Sequence, residues 1–545
     1  MFLRPLLPVA AEHHRKGWER ASKSDSCLAM RLTLHRGVSL AVLASARTEA
    51  EHHEDLGCSI QGPTARPVRH AHVPLKQRLA ELGPERSLRE AKALVRWLEE
   101  TPGYAALCDE GRRRGGRRPL RHEVLFPDAT RHKPRILHLR QEELGLDFPV
   151  KVREWPALAE LFASLARGAT RAELRTLSAV PAVGELLADM SSAGWLVRHD
   201  GPVDVPAPGA LFVGHNTVLV SSTQARVLVD PYFRPASRLD RPGYPPMQPR
   251  DLGPVDAVVI THSHGDHFHL GSLLQLPRDT RIFVPAVERE SLFSTDCVLR
   301  LRQLGYTRVE ALRWGEERLV GDITVRALPF HGEQPTDGEG LYPDLFNEGN
   351  TWLVRAPGFS AAFFADAGHD VRGDMRTICR ALRKEAPVDV LFCGVRGFRL
   401  EPLFFGYTTL DAYLVDVPVE ALGKPQQLMA GPEEALHYGE LLGARYVVPC
   451  ADGGAPWYWR EGMGPRYPGY PGEPVSGAST LDENPDADPY PERLKQVRRQ
   501  VGHGPQALLM RPGEALAWRG RQAPELVRYP GFEWPFGGMP ARRGA

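Results

Sequence analysis

Asp256-Ala-Val-Val-Ile-Thr-His262-Ser-His264-Gly-Asp266-His267-Phe-His269-Leu270 runs from an apolar stretch straight into metal-capable side chains in the order His-x-His-x-Asp-His. The β-branched residues read as a strand, with the histidines and the aspartate at its mouth. Neutral imidazole suits zinc or iron, and a carboxylate two residues past the second histidine holds another cation or takes a proton from bound water. Two adjacent metals are the natural reading. A His-rich surface turn would explain the polarity but neither the strand leading in nor the fixed spacing.

Working outward, the remaining sequence bounds what such a site serves. A chain of 545 residues is longer than a single core grows, so one domain with attachments is expected. Lys and Arg number 68 against 67 Asp and Glu, which leaves no global field for nucleic acid or an anionic membrane. The 7 cysteines, at 27, 58, 108, 297, 379, 393 and 450, form no CxxC pair, which fits a reducing compartment. No apolar run approaches the roughly 18 residues of a membrane span. A weak signal-peptide outline begins at Met30, with Arg31, Arg36 and a short apolar core from Gly37 to Leu43. It lies inside the chain, so a cytoplasmic location is expected.

In chain order, residues 1–72 read as a disordered leader. Ser87 and Glu90 form a capping pair for a helix whose Leu88, Ala91, Leu94, Val95 and Leu98 share one face. Arg112, Arg113, Arg114, Arg117, Arg118 and Arg121, spaced by Gly and Pro, read as a solvated basic linker rather than a phosphate-binding arm, because aromatics are absent between them. Between 154 and 200 the pattern is three short helices, the second opened by a Thr170–Glu173 capping box and the third by Pro181, then a strand at Trp195 to Arg198. Within the region 73–204 this outlines a mainly α, winged-helix-like module, suited to docking a peptide or supporting its neighbour. From Ala210 strands dominate, beginning with one from Leu211 to Val220, and helices at Asp374–Glu385 and Pro432–Leu442 interrupt them. This predicts an α/β catalytic domain over 205–525. An aromatic, Pro- and Gly-rich insert at about 455–490, including Trp457-Tyr458-Trp459, reads as a pocket wall or lid, and 526–545 as a tail.

The His-x-His-x-Asp-His spacing resembles the metallo-β-lactamase superfamily over roughly 205–455. Gly214-His215-Asn216-Thr217, Val229-Asp230-Pro231 and Ala236-Ser237 look like the subgroup of N-acyl-phosphatidylethanolamine phospholipase D. The resemblance implies an αββα sandwich with a site at one rim. It implies that His262, His264 and His331 bind one metal, that Asp266 and His267 bind the second, and that Asp366 bridges them. Zn2+ is the expected ion, one or two per chain, with Fe or Mn as alternatives. Asp266 is the expected catalytic residue, orienting a metal-bound hydroxide or moving its proton.

One departure from that pattern is visible. Relatives in the subgroup carry a last histidine after an apolar-Pro strand end, whereas Val448-Pro449-Cys450-Ala451-Asp452 has none. Asp452 and His437 are the candidates to replace it, and His269 and His369 to assist. His215 reads as a buried hydrogen-bonding residue. The expected activity is metal-dependent hydrolysis of a phosphodiester, ester or lactone in a small-molecule or lipid-like substrate. An iron-dependent oxidoreductase on the same fold, and a non-catalytic peptide-binding scaffold, are the alternatives.

Overall fold

The computed structural model describes residues 28–30, 41–43, 88–109, 113–127, 136–141, 146–151, 154–192 except 168, 196–198, 208–233, 247–395 except 248, 397, 399–400, 414–422, 424, 426–427, 429–451, 490–510, 513–518 and 524–528. The strands that build the two large sheets are β1 (Gly209–Gly214), β2 (Thr217–Ser221), β3 (Arg226–Val229), β4 (Ala257–Val259), β5 (Arg281–Pro285), β6 (Val309–Leu312), β7 (Glu317–Val320), β8 (Ile323–Pro329), β9 (Asn350–Ala356), β10 (Phe359–Ala365), β11 (Val390–Cys393), β12 (Tyr446–Pro449), β13 (Gln506–Ala507), β14 (Glu514–Ala517) and β15 (Glu525–Arg528). They form an eight-stranded sheet in the order β6-β5-β4-β3-β2-β1-β14-β15 and a seven-stranded sheet in the order β7-β8-β9-β10-β11-β12-β13.

Period-two alternation explains why two sheets stack between helices. In β2, Val218 and Val220 point into the layer shared with the second sheet, while Leu219 points to the outer face. In β10, Phe363 faces inward and Phe364 outward. Strands apolar on both faces must be covered on both. The helices that cover them, after α1 (Leu88–Glu100), are α2 (Trp155–Arg167), α3 (Arg171–Leu177), α4 (Pro181–Ser192) and α5 (Cys297–Gln303) on the first sheet, and α6 (Met375–Glu385), α7 (Pro432–Leu442) and α8 (Tyr490–Val501) on the second. The result is the expected αββα sandwich. Each fully buried Val, Leu or Phe contributes about 1.5–3 kcal/mol, so the strand ends are anchored by dense apolar layers.

The topology brings the strand ends that matter to one rim. β3 and β4 are parallel, and β1 runs with them because both β1 and β3 are antiparallel to β2. In the second sheet β8 runs with β10 through the antiparallel β9, and β10, β11 and β12 are parallel. The C-terminal ends in each sheet therefore open together, the usual place for a ligand in open α/β sheets.

Three expectations change. The strand read as Leu211 to Val220 is two strands, because Gly214 (φ 138°) and His215 (φ 54°) turn the chain back on itself. The helices of the supposed N-terminal module occur where expected, and Thr170 and Glu173 make their capping box. Their Trp155, Leu158, Leu174 and Leu187 are, however, part of the apolar layer on the first sheet rather than a core apart. The basic run is not a solvated linker either. Arg117 is buried, donating to the carbonyls of Leu414 and Val417 and to the Tyr104 hydroxyl, and Arg113 pairs with Glu99 at 3.0 Å. Around it α1, Tyr104 and Leu120 pack on Leu292, Leu345 and Val417 in a separate apolar cluster. Asp452, the aromatic insert and most of 1–72 lie outside the described residues. Among the described residues, no helix is long and apolar enough to cross a membrane.

Candidate metal centre

Backbone strain marks the rim. The non-glycine residues with positive φ among those described are His215, Asp230, Glu333, Ala365 and Ala451, and each closes a strand or turn at this end of the sandwich. Such conformations cost free energy and persist where surrounding structure enforces them, most often at functional sites.

Two overlapping sets of donors converge there. In the first, His262 Nε2 and His264 Nδ1 lie 3.1 Å apart, and Glu333 Oε2 is 2.9 Å from each. His262 follows β4 and bridges to Gly349, while Glu333 arrives from the turn after β8. In the second, His267 Nε2 is 3.1 Å from Asp366 Oδ2 and 3.8 Å from Asp266 Oδ2. The sets share Asp366, whose Oδ2 is also 3.9 Å from His262 Nε2. Asp366 follows β10, where the register shifts and Ala365 takes φ 48° to turn the carboxylate inward.

A buried carboxylate holds the second set from behind. Asp230 accepts from the Thr261 backbone N–H at 2.7 Å, from the Thr261 hydroxyl at 2.5 Å, from the Asn216 side-chain amide at 2.5 Å, and from His267 Nδ1 at 2.8 Å. A carboxylate on the far nitrogen of a histidine fixes its tautomer, leaving Nε2 as the free lone pair.

The expected residues therefore separate. His262, His264, Asp266, His267 and Asp366 come together, but His331 does not join them. Its Nδ1 is 3.2 Å from Asp370 Oδ1, and its Nε2 faces Gly373, where even a Cβ would approach to 2.4 Å. The physical reason is the left-handed turn through Gly332 (φ 120°) and Glu333 (φ 50°), which points the imidazole away and carries the carboxylate in. Glu333 was missed because a glutamate two residues past a histidine is unremarkable in sequence; the glycine between them was the available signal. His437 is 45% exposed beside Glu440 on the outer helix layer, so it does not reach the rim. His269 bonds Ser272 Oγ at 2.7 Å, and burial pushes its imidazole down to about 4. Cys450 is buried and packs in the layer between the sheets.

The electrostatics suit cation binding. Burial holds His262 well below the ordinary imidazole range, reinforced by His267 and His264, so it stays neutral and able to donate its lone pair. Burial also lowers His267, but the Asp366 and Asp266 carboxylates more than reverse this and raise it well above its ordinary value, so without a metal they hold a proton on the ring where a bound cation would displace it. Asp366 Oδ1 is buried with no hydrogen-bond partner. A buried carboxylate whose one oxygen is orphaned while the other, Oδ2, faces His262 and His267 is costly unless a cation compensates it. The donor set passes this test for a bound divalent metal: His262, His264 and Glu333 would hold one ion, Asp266 and His267 another, with Asp366 between them.

The family described as the beta-lactamase superfamily domain matches residues 225–450. The chain is 29% identical over 276 residues to the 4-amino-L-phenylalanyl-[CmlP-peptidyl-carrier-protein] 3-hydroxylase of Streptomyces venezuelae, covering 48% of each. It is 24% identical over 310 residues to a UPF0173 metal-dependent hydrolase of Rubrobacter xylanophilus, covering 56% of this chain and 94% of that one. It also resembles a UPF0173 protein of Pyrococcus furiosus, 29% identical over 126 residues, covering 23% of this chain and 49% of that one. The chain thus spans about half the length of the hydroxylase and of the Pyrococcus protein. Among solved structures it is similar to CmlA, a diiron beta-hydroxylase from Streptomyces venezuelae, at 20% identity and a TM-score of 0.46, covering 70% of this chain and 64% of that one.

Proposed function

We propose that this chain is a metal-dependent enzyme whose rim holds two divalent cations, and that it hydroxylates its substrate with iron as the working metal. The observation that carries this reading is Glu333, a carboxylate where a third imidazole was expected. With Glu333, Asp366 and Asp266 the donor set is rich in oxygen, which favours iron or manganese over zinc. When bound, iron supplies redox chemistry with dioxygen, which redox-inert zinc does not. The reaction class is oxygen insertion into a C–H bond: one atom of dioxygen enters the substrate and the other leaves as water, with two electrons from an external donor and two protons. The protein's own contribution is to keep His262 neutral, to fix His267 through Asp230, and to present the Asp266 carboxylate, 38% exposed, at the open side. The likeness to a hydroxylase named for an aminoacyl group on a peptidyl carrier protein supports a carrier-bound aminoacyl substrate, and the peptide partner expected for the helical segment would then be that carrier.

Hydrolysis is the second reading, favoured by the likeness to a metal-dependent hydrolase over 94% of that protein's length. It keeps the phosphodiester, ester or lactone substrate and zinc. The deciding experiment is metal analysis of protein purified without chelator, then assay of the iron- and zinc-loaded forms. Oxygen uptake with a product about 16 Da heavier, in the iron form alone, supports hydroxylation. Ester or phosphodiester cleavage by the zinc form, with no oxygen uptake by the iron form, overturns it. As a prediction, Glu333→Ala lowers metal content whereas His331→Ala leaves it near wild type; the reverse pattern would remove Glu333 from the ligand set.

A further inference from the structure

A further imidazole stands beside the second donor set. Asp266, His267 and Asp366 offer three ligand atoms, and the histidine expected after β12 is missing from the sequence. We propose that His215, from the opposite sheet, is the fourth ligand of the second cation. This rests on the two-cation reading above and deepens it.

The geometry is direct. His215 Nε2 lies 3.3 Å from Asp266 Oδ2, and the ligand atoms of His215, Asp266 and His267 all fall within 4.8 Å of one another. Its ring is 1% exposed, held between Tyr232 at 5.4 Å and His267 at 5.2 Å between centroids. With it the first set reads His262, His264, Glu333 and Asp366, the second His215, Asp266, His267 and Asp366. Each has four donors and Asp366 is common to both.

Backbone geometry ties His215 to the place of the missing histidine. The β1–β2 turn takes His215 to φ 54°, and its carbonyl accepts the Ala451 N–H at 3.1 Å. Ala451, itself at φ 66°, stands in the loop where the last histidine would be. The two turns are hydrogen-bonded across the sandwich, so an imidazole lost from one is replaced from its immediate neighbour. A hydrogen bond from His215 to Asp266 alone would account for the 3.3 Å contact, so the test separates a ligand from a support.

The experiment is zinc stoichiometry, by elemental analysis after equilibrium dialysis, on the full chain and on His215→Asn. Asparagine tolerates a left-handed backbone and keeps a side-chain donor for Asp266. Two zincs in wild type and one in the variant, with the metal-stripped proteins melting at similar temperatures, is the expected result. Two zincs bound with unchanged affinity in the variant overturns the role of His215 while leaving the two-cation centre standing. A wild type that binds fewer than two zincs, and fewer than two manganese ions under the same dialysis, overturns that centre and the assignment with it; where only manganese fills both positions, the comparison with His215→Asn is read in manganese. Should the variant fail to fold, the structure of the zinc-loaded wild type decides: Nε2 at about 2.0–2.1 Å from the second ion supports the assignment, and Nε2 bonded only to Asp266 overturns it.

Discussion

Asp230 is the residue on which the rim's order converges. Its two oxygens serve two residues of the segment that follows β4 and carries the metal motif, Thr261 and His267, and one on the neighbouring turn, Asn216. Removing its charge disturbs all of them while leaving every proposed ligand in place. Asp230→Asn keeps the shape, but its amide nitrogen faces groups that are themselves donors. Metal affinity, read by chelator competition, is expected to fall about 10–100-fold, as for other partners behind a metal-binding histidine. Unfolding in urea is expected to show a loss of roughly 1–3 kcal/mol. Unchanged metal affinity would mean that Asp230 serves the fold alone. At this scale the sequence was legible where donors are neighbours: His262, His264, Asp266 and His267 fall together because a strand end presents them within six residues. It was illegible where a ligand's neighbour competes with it, as with His331 and Glu333, since only the sense of the turn decides which of the two points inward.

That turn belongs to the element scale. Gly332 lies between β8 and the rim at φ 120°, and a Cβ there would sit 2.6 Å from the Gly368 nitrogen, whose N–H bonds the His331 carbonyl. Gly315, in the turn between β6 and β7, has a comparable φ of 89° with nothing within 4 Å of its would-be Cβ. Alanine at Gly315 should cost only the backbone conformation, about 1–3 kcal/mol. Alanine at Gly332 carries the same cost plus the clash, and is expected to lose more stability on urea unfolding and, unlike the control, to bind less metal. Equal losses with equal metal content would show that the turn does not aim Glu333. Strand and helix placement was legible because apolar alternation and capping boxes are local codes, as the matched Pro432–Leu442 helix shows. The break of Leu211 to Val220 into β1 and β2 was signalled only by the polar Gly214-His215-Asn216-Thr217, and the buried apolar runs on either side of it read together as one strand.

At the scale of the molecule, the open question is how the segment around α1 is fastened to the sandwich. Its basic run was read as solvent-facing because six arginines look hydrophilic, and nothing local shows that Arg117 will find carbonyls about 300 residues away. The receiving loop also holds Asp416, which is buried, accepts the Tyr342 N–H at 2.6 Å, and lies where Gly340 leaves no room for a side chain. Burial pushes the Asp416 carboxyl up to about 7, with the Tyr342 and Leu341 N–H groups and the nearby arginines only partly opposing it. In the unfolded chain an aspartate titrates near about 3.9. The folded state therefore binds the proton more tightly, and its contribution to stability is complete below that value and lost as pH rises through about 7. At about 1.4 kcal/mol per pKa unit the effect reaches a few kcal/mol and does not grow above the folded pKa. Asp416→Asn is neutral throughout and still accepts from Tyr342. Measured by urea unfolding from pH 3 to 8.5, the variant should match wild type at the acid end, become the more stable of the two as pH rises towards 7, and then hold a constant margin. Stability curves running parallel across that range would show that Asp416 is ionised in the folded protein and that the fastening does not depend on its proton.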